Sequence, residues 1–256
     1  MRLLISVADA QEASAALAGG ADVIDAKDAR AGALAPVTPA VLAEISAVVA
    51  GARPVTAALG DADDEASVER AARAYVLAGA ALVKIGFAGI ADDGRAASIL
   101  AAAVRGAAAG GGAVVAVGYA DASSAAAIAP AALARIAADA GAQGVLLDTC
   151  NKSGPGLRAL VDPAALAAFV TGAHRAGLLV ALAGRLAIDD LTFVRDAGAD
   201  IAGVRGAACE GGRIGRVTRD RVAALRAVLE SDAGRCGELT RDGAGNSRVT
   251  VLGTHA

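Results

Sequence analysis

LAGGADVIDAK, residues 17–27, holds a helix end, a joint and a strand in eleven residues. The Ala-Gly step closes an Ala-rich helical segment, because glycine takes the left-handed position past a helix C-terminus with no Cβ penalty. The run that follows is apolar and β-branched, as a strand requires. The same joint recurs as LAGAALVKIG (77–86), DAGAQGVLLDT (139–149), RAGLLVALAG (175–184) and DAGADIAGVRG (196–206). A helix ending two or three residues before a strand, repeated along a chain, is the return half of a parallel βα unit.

Working outward, LLISV (3–7), PVTAALG (54–60) and AVVAVGYAD (113–121) supply the remaining strands. The pattern predicts strands near 3–7, 22–27, 54–59, 81–86, 113–119, 144–148, 178–183 and 200–205. Helical returns are expected near 10–18, 39–50, 65–78, 92–109, 130–140, 163–175, 187–197 and 217–230. Eight βα units of about 28 residues match an α/β fold of one kind, a single (β/α)8 TIM barrel. A doubly wound sheet would need fewer units and a GxGxxG turn after its first strand, where this chain reads SVADAQE. The barrel is expected over 1–230. The polar tail over 231–256, with its short RVTVLG run, reads as an extension: an edge strand, an interface arm or a mobile end.

Composition narrows the function. Of 256 residues 55 % are apolar but only 2 % aromatic, so the core must be packed with Ala, Val, Leu and Ile. A formal charge of -3 argues against a nucleic-acid footprint. No secretory pattern opens the chain, and the Ala-rich runs are broken by Arg105 and glycines, so neither a leader nor a membrane span is expected. Cys150, Cys209 and Cys236 show no CxxC spacing, which disfavours disulfides and structural zinc and predicts a cytoplasmic protein. The two histidines, His174 and His255, give poor support to a metal site or a Ser-His-Asp triad. His174 reads as a helix-end dipole contact and Cys209 as packing. No metal and no cofactor are expected.

In a barrel, the chemistry sits at the C-terminal ends of the strands. Those positions hold Asp25 and Lys27 on the second strand, Thr56 and Gly60 on the third, and Lys84 on the fourth. Tyr119 and Asp121 end the fifth, and Asp148 the sixth, with Asn151 and Lys152 just beyond. Lysine is used at Lys27, Lys84 and Lys152 and nowhere else, while arginine serves the helices. All three lysines fall at one predicted rim. A lysine among other cations in a partly dry pocket has a depressed pKa, and its neutral amine attacks carbonyls to form Schiff bases. Asp25 and Lys27 lie two residues apart, hence on one face of the strand. Asp25 would favour the charged amine, so it is either a proton handler or half of a plain ion pair with Lys27; Asp148 could handle protons from the sixth strand. The loops after strands seven and eight, LAGRLA and VRGAACEGGR, offer Gly184, Arg185, Gly206 and Ala207 as a phosphate grip.

Taken in order, VIDAKDARAGALAP, LVKIGFAG, GYADAS, LLDTCNKSG, ALAGRL and GVRGAAC resemble the (5-formylfuran-3-yl)methyl phosphate synthase family, from Met1 to about Leu229. The resemblance implies a (β/α)8 lyase that condenses two molecules of glyceraldehyde 3-phosphate into a phosphorylated furan aldehyde, the furan precursor of methanofuran, with loss of phosphate and water. It implies Lys27 as the Schiff-base lysine, Lys84 as general acid/base, and Asp25, Asp148 and Lys152 as further polar site positions, Lys152 serving phosphate. GDADDEAS (60–67) is short and acidic where archaeal members carry a longer loop. The Ala- and Arg-rich composition suggests a high-GC bacterial gene and a methylotroph setting. The expected partners are a small phosphorylated substrate and further copies of the chain, with no nucleic acid and no membrane. A class I aldolase acting on a sugar phosphate and a non-enzymatic barrel that binds phosphometabolites are the rival readings.

Overall fold

The computed structural model describes residues 1–239. Eight parallel strands close into a barrel in sequence order: β1 (Arg2–Val7), β2 (Val23–Ala26), β3 (Val55–Asp61), β4 (Leu82–Gly86), β5 (Ala113–Tyr119), β6 (Gly144–Asp148), β7 (Leu179–Leu182) and β8 (Ile201–Val204). The returns are α1 (Ala10–Ala18), α2 (Pro39–Val49), α3 (Glu65–Leu77), α4 (Asp93–Ala109), α5 (Pro130–Asp139), α6 (Leu157–Leu160), α7 (Pro163–Arg175), α8 (Asp190–Asp196) and α9 (Arg219–Leu239). This is the expected TIM barrel.

The helix ends explain the repeated joint. Gly20, Gly79, Gly141, Gly177 and Gly198, one in each copy, all have positive φ, between 76° and 113°. A residue with a Cβ at any of them would hold the left-handed turn at a cost of about 1 kcal/mol or more. The helix starts are capped by side chains: Asp9 accepts from the Glu12 amide, Asp64 from Ser67, Asp92 from Arg95 and Asp162 from Ala164 and Ala165.

Strand alternation divides the core in two. Outward side chains such as Leu3, Ile5 and Val7 of β1 or Val83 and Ile85 of β4 pack against the helices. Inward ones, including Leu4, Val23, Ala58, Val117, Leu146, Ala181 and Ile201, fill the barrel. Small aliphatic residues close this interior with almost no aromatics, each buried Val, Leu or Ile contributing about 1.5–3 kcal/mol. One step further along the inward rows of β1, β2, β4 and β6 the side chains turn polar: Ser6, Asp25, Lys84 and Asp148 are all buried, as is Thr56, level with Asp25 on β3. The apolar floor therefore sits directly beneath a polar rim.

Several elements escaped the periodicity. β2 ends at Ala26, so Lys27 opens the following loop, although its amide still donates to the Val7 carbonyl at 3.0 Å. α6 has four residues, too few for a helical pattern. After β8 comes a 3-10 turn (Gly206–Ala208) and an antiparallel hairpin of two-residue strands, β9 (Cys209–Glu210) and β10 (Arg216–Val217). α8 begins at Asp190 because Ala187–Asp189 form a turn closed by the Asp190 carboxylate on the Ala187 amide. α9, expected over 217–230, runs on to Leu239, and the RVTVLG run and His255 lie outside the described residues. Among the described residues no helix is long and apolar enough to cross a membrane.

Candidate active site

Register brings the polar rim together. Ser6 of β1 aligns with Asp25 of β2, and Asp25 with Thr56 of β3. The Asp25 carboxylate accepts from Ser6 Oγ at 2.9 Å and from Thr56 Oγ1 at 2.7 Å. Its third partner is the Lys84 ammonium, 2.5 Å away from β4. Burial would raise the Asp25 carboxyl, but the ammonium groups of Lys84 and Lys27, with the hydrogen bonds from Lys84 and Thr56, outweigh it and hold the group below its usual value.

A second pair stands across the barrel. Asp148, at the end of β6, holds Lys152 Nζ at 2.5 Å and accepts from the Thr149 amide at 2.7 Å. Lys152 also reaches Thr149 Oγ1 at 3.4 Å. Burial again opposes ionisation of Asp148, and Lys152 and Lys27 again prevail and lower its pKa.

Lys27 stands apart from both pairs. The plain Asp25–Lys27 ion pair weighed from sequence is not formed; Asp25 is taken by Lys84. Lys27 Nζ donates to the Ala33 carbonyl at 3.3 Å and has no carboxylate at ion-pairing distance among the described residues. Burial and the nearby Lys84 charge pull its pKa down to about 8, against the opposing pull of Asp148 and Asp25. A measurable fraction of this amine is therefore neutral near pH 7.

These groups line a cavity of about 340 Å³ at the C-terminal end of the barrel, floored by Leu4, Leu146 and Gly203. Asp25, Lys27, Lys84, Lys152, Arg185, Gly206 and Ala207 of the expected site all face it, with Asp148 just behind Lys152. Gly184 does not line it. At φ 111° it makes the turn after β7, and a Cβ there would lie 3.0 Å from Thr149 Cγ2. Arg185 follows with φ 56°, a left-handed conformation costing about 1–2 kcal/mol for a residue with a Cβ. That turn sends its guanidinium to the carbonyls of Lys152, at 3.1 Å, and Gly154.

Tyr119 and Asp121 build walls. The buried Tyr119 hydroxyl donates to Asp61 at 2.5 Å, and burial, with the Asp61 charge, pushes its pKa up. This contact needs Gly86 beside it, where a Cβ would fall 2.3 Å from both the Asp61 and Tyr119 oxygens. Asp121 accepts from the amides of Cys150 and Asn151 and shapes the loop that carries Lys152. His174 ends α7 as expected and also meets Asp200, at 2.9 Å. Cys209 is buried.

Ser6, Glu12 and Arg213 belong to the same rim without a sequence motif of their own. Ser6 was within reach of the strand pattern, since it sits two residues after the inward Leu4 on a strand end. Glu12, buried on α1, forms an ion pair with Arg205. Arg205 also donates to the carbonyls of Ser6 at 3.0 Å, Arg213 at 3.1 Å and Gly215 at 2.8 Å, which ties the β9–β10 hairpin to the barrel rim. From that hairpin Arg213 reaches into the cavity and over to the loop after β2, donating to the carbonyls of Ala29 and, at 2.7 Å, Gly32.

Residues 3–226 match the family model described as 4-HFC-P synthase. The chain is 37 % identical over 235 residues to the (5-formylfuran-3-yl)methyl phosphate synthase of Methanothermobacter thermautotrophicus, covering 90 % of this chain and all of the relative. It is 40 % identical over 240 residues to a protein of Streptomyces griseus named as a putative synthase of the same kind, covering 91 % of this chain and 96 % of that one. Among solved structures, 3-hexulose-6-phosphate synthase superposes with a TM-score of 0.59 at 22 % identity, over 89 % of this chain and 99 % of the other. Phosphoribosyl anthranilate isomerase of Thermus thermophilus superposes with a TM-score of 0.61 at 17 % identity, over 90 % and 99 %. The two structural likenesses bear on the fold.

Proposed function

The chain belongs to the 4-HFC-P synthase family, and from that premise we propose that it condenses two molecules of glyceraldehyde 3-phosphate into (5-formylfuran-3-yl)methyl phosphate, for methanofuran biosynthesis. The observation that carries the chemistry is Lys27: a buried amine with its pKa near 8, no carboxylate of its own among the described residues, and two ammonium–carboxylate pairs beside it. An amine held partly neutral attacks a carbonyl; one held by a carboxylate does not.

In this reading the Lys84–Asp25 pair moves protons, first isomerising one triose phosphate toward a dihydroxyacetone phosphate-like species. Lys27 adds to a substrate carbonyl, loses water and becomes an iminium, which acidifies the neighbouring C–H. On a glyceraldehyde 3-phosphate iminium, loss of that proton gives an enaminol that expels the C3 phosphate, and the enol carbon so formed bonds to the ketone carbon of the dihydroxyacetone phosphate-like triose. Ring closure through a hydroxyl, two dehydrations and hydrolysis of the iminium return free Lys27. The atoms balance as two trioses to one furan phosphate, one phosphate and two waters. Asp148 positions Lys152 for a phosphate oxygen, and the 3-10 turn at Gly206 and Ala207 presents backbone amides, with Gly184 making the neighbouring turn. No step calls on a metal or an organic cofactor.

The deciding experiment is the product assay. Glyceraldehyde 3-phosphate should yield free phosphate and a new furan absorption; reversible cleavage of a sugar phosphate instead would make this an aldolase. Borohydride with substrate should add the mass of a reduced triose adduct to the wild-type chain and none to Lys27→Ala. Equal labelling of the two would remove Lys27 from the covalent step.

A further inference from the structure

Six cationic side chains line the cavity. Three are neutralised: Lys84 by Asp25, Lys152 by Asp148 and Arg205 by Glu12. The other three, Lys27, Arg185 and Arg213, have no carboxylate at ion-pairing distance among the described residues and make hydrogen bonds to backbone carbonyls. Lys27 is buried and Arg213 half-buried, while Arg185 is exposed at the cavity mouth. A cation in a partly dry cavity with only neutral acceptors is an incomplete arrangement, and an incoming anion completes it; at the mouth, Arg185 is free to meet that anion as it enters.

The proposed condensation, on which this inference rests, brings one carbonyl to an amine and carries two phosphates. With Lys27 assigned to the carbonyl, two uncompensated guanidinium groups remain. We infer that Arg185 joins Lys152 at one substrate phosphate, and that Arg213, carried on the β9–β10 hairpin, forms a second phosphate subsite.

Their placement suits the task. Arg185 reaches toward the loop after β6 and Arg213 toward the loop after β2. In a ring of eight strands β6 and β2 stand four apart, so the two arms serve opposite sides of the mouth. Arg185 belongs to the region after β7 and β8 where such barrels ordinarily hold phosphate; Arg213 reaches away from it, over the loop that begins with Lys27. The Arg213 backbone is fixed, because Arg205 binds the carbonyls of Arg213 and Gly215 while paired to the buried Glu12. Among the described residues its side chain is held only by the carbonyls of Ala29 and Gly32. A dianionic phosphate is a stronger acceptor for a guanidinium fork than two carbonyls, so the exchange costs little and needs no movement of the hairpin.

The test uses sn-glycerol 3-phosphate, a triose phosphate without a carbonyl, titrated calorimetrically into the full chain. The wild type should bind two equivalents, Arg213→Gln one and Arg185→Gln one. Arg213→Lys, which keeps the charge but loses the fork, should keep the second site with affinity reduced about tenfold. Borohydride trapping of unphosphorylated glyceraldehyde on Lys27 should proceed at the wild-type rate in Arg213→Gln. A wild type that binds one equivalent, an Arg213→Gln variant that still binds two, or loss of glyceraldehyde trapping in that variant, which would mean that Arg213 only props the loop, each overturns the subsite. Two equivalents bound by a wild type that makes no furan would sink the condensation and leave the two receptors standing.

Discussion

The two buried ion pairs have the same chemistry and opposite construction. Asp25 and Lys84 come from different strands, meet across the barrel interior, and share Asp25 with two hydroxyl donors from β1 and β3. Asp148 and Lys152 are four residues apart on one strand end and its loop, and the other donor to Asp148 is a local amide. The Lys84 side chain is 4 % exposed and that of Lys152 14 %. One pair is part of the barrel wall; the other is a side chain on a loop, leaning on a carboxylate. In the proposed reaction the long-range pair would serve proton transfer at a fixed place, and the local one a lysine that releases its partner to grip substrate.

Lys84→Met is the harshest way to break this contrast. It strands the Asp25 carboxylate with no other ion-pair partner among the described residues, and losing one member of a buried pair costs about 3–5 kcal/mol. Denaturant unfolding should show that loss at pH 7, and turnover should vanish with it. The double variant Asp25→Leu with Lys84→Met should recover most of the stability and none of the activity. Lys84→Arg should keep the fold and still lose most turnover, since a guanidinium does not release its proton in this range. Near wild-type rates in Lys84→Arg would take Lys84 out of proton transfer.

Lys152→Met should cost less, about 1–2 kcal/mol, because the cavity lets water replace the ammonium beside Asp148 and the Thr149 amide stays in place. Its larger effect should fall on substrate affinity, a KM raised about tenfold or more with the borohydride-trappable amine intact. A stability loss equal to that of Lys84→Met would erase the distinction between a wall pair and a loop pair.

How much of this was legible before the fold follows from which contacts are local. The joint at Gly20 and its four copies announced the barrel, because the left-handed turn is a property of one residue and its neighbours. The inward sharing of Asp25 and Lys27 followed from strand alternation alone. That Asp25 belongs to Lys84 did not, since it depends on the alignment of β2, β3 and β4, and 59 residues separate the two side chains in sequence. Arg213 was illegible for another reason: strands of two residues have no period, so a hairpin that carries a guanidinium into the cavity looks like any glycine-rich loop.

The smallest effect separates Lys27 from both pairs. Its pKa falls from 10.5 to about 8 on folding, so between those values the unfolded chain binds more protons than the folded one and stability must rise with pH. Below pH 8 the amine is charged in both states and the full penalty applies, roughly 3 kcal/mol at 1.36 kcal/mol per pH unit. Lys27→Met abolishes that penalty at pH 7. The gain is less than the whole, because the Lys27 charge also helps to keep Asp25 and Asp148 ionised. The variant should therefore be about 1–2 kcal/mol more stable than the wild type at pH 7, with the difference shrinking toward pH 10, while the wild-type trapping rate climbs about tenfold per pH unit and levels near pH 8. The paired lysines allow no such gain: replacing either removes a counter-ion, whereas replacing Lys27 removes a charge that has no ion-pair partner among the described residues. A Lys27→Met chain less stable than wild type at pH 7 would mean that Lys27 is a structural cation after all.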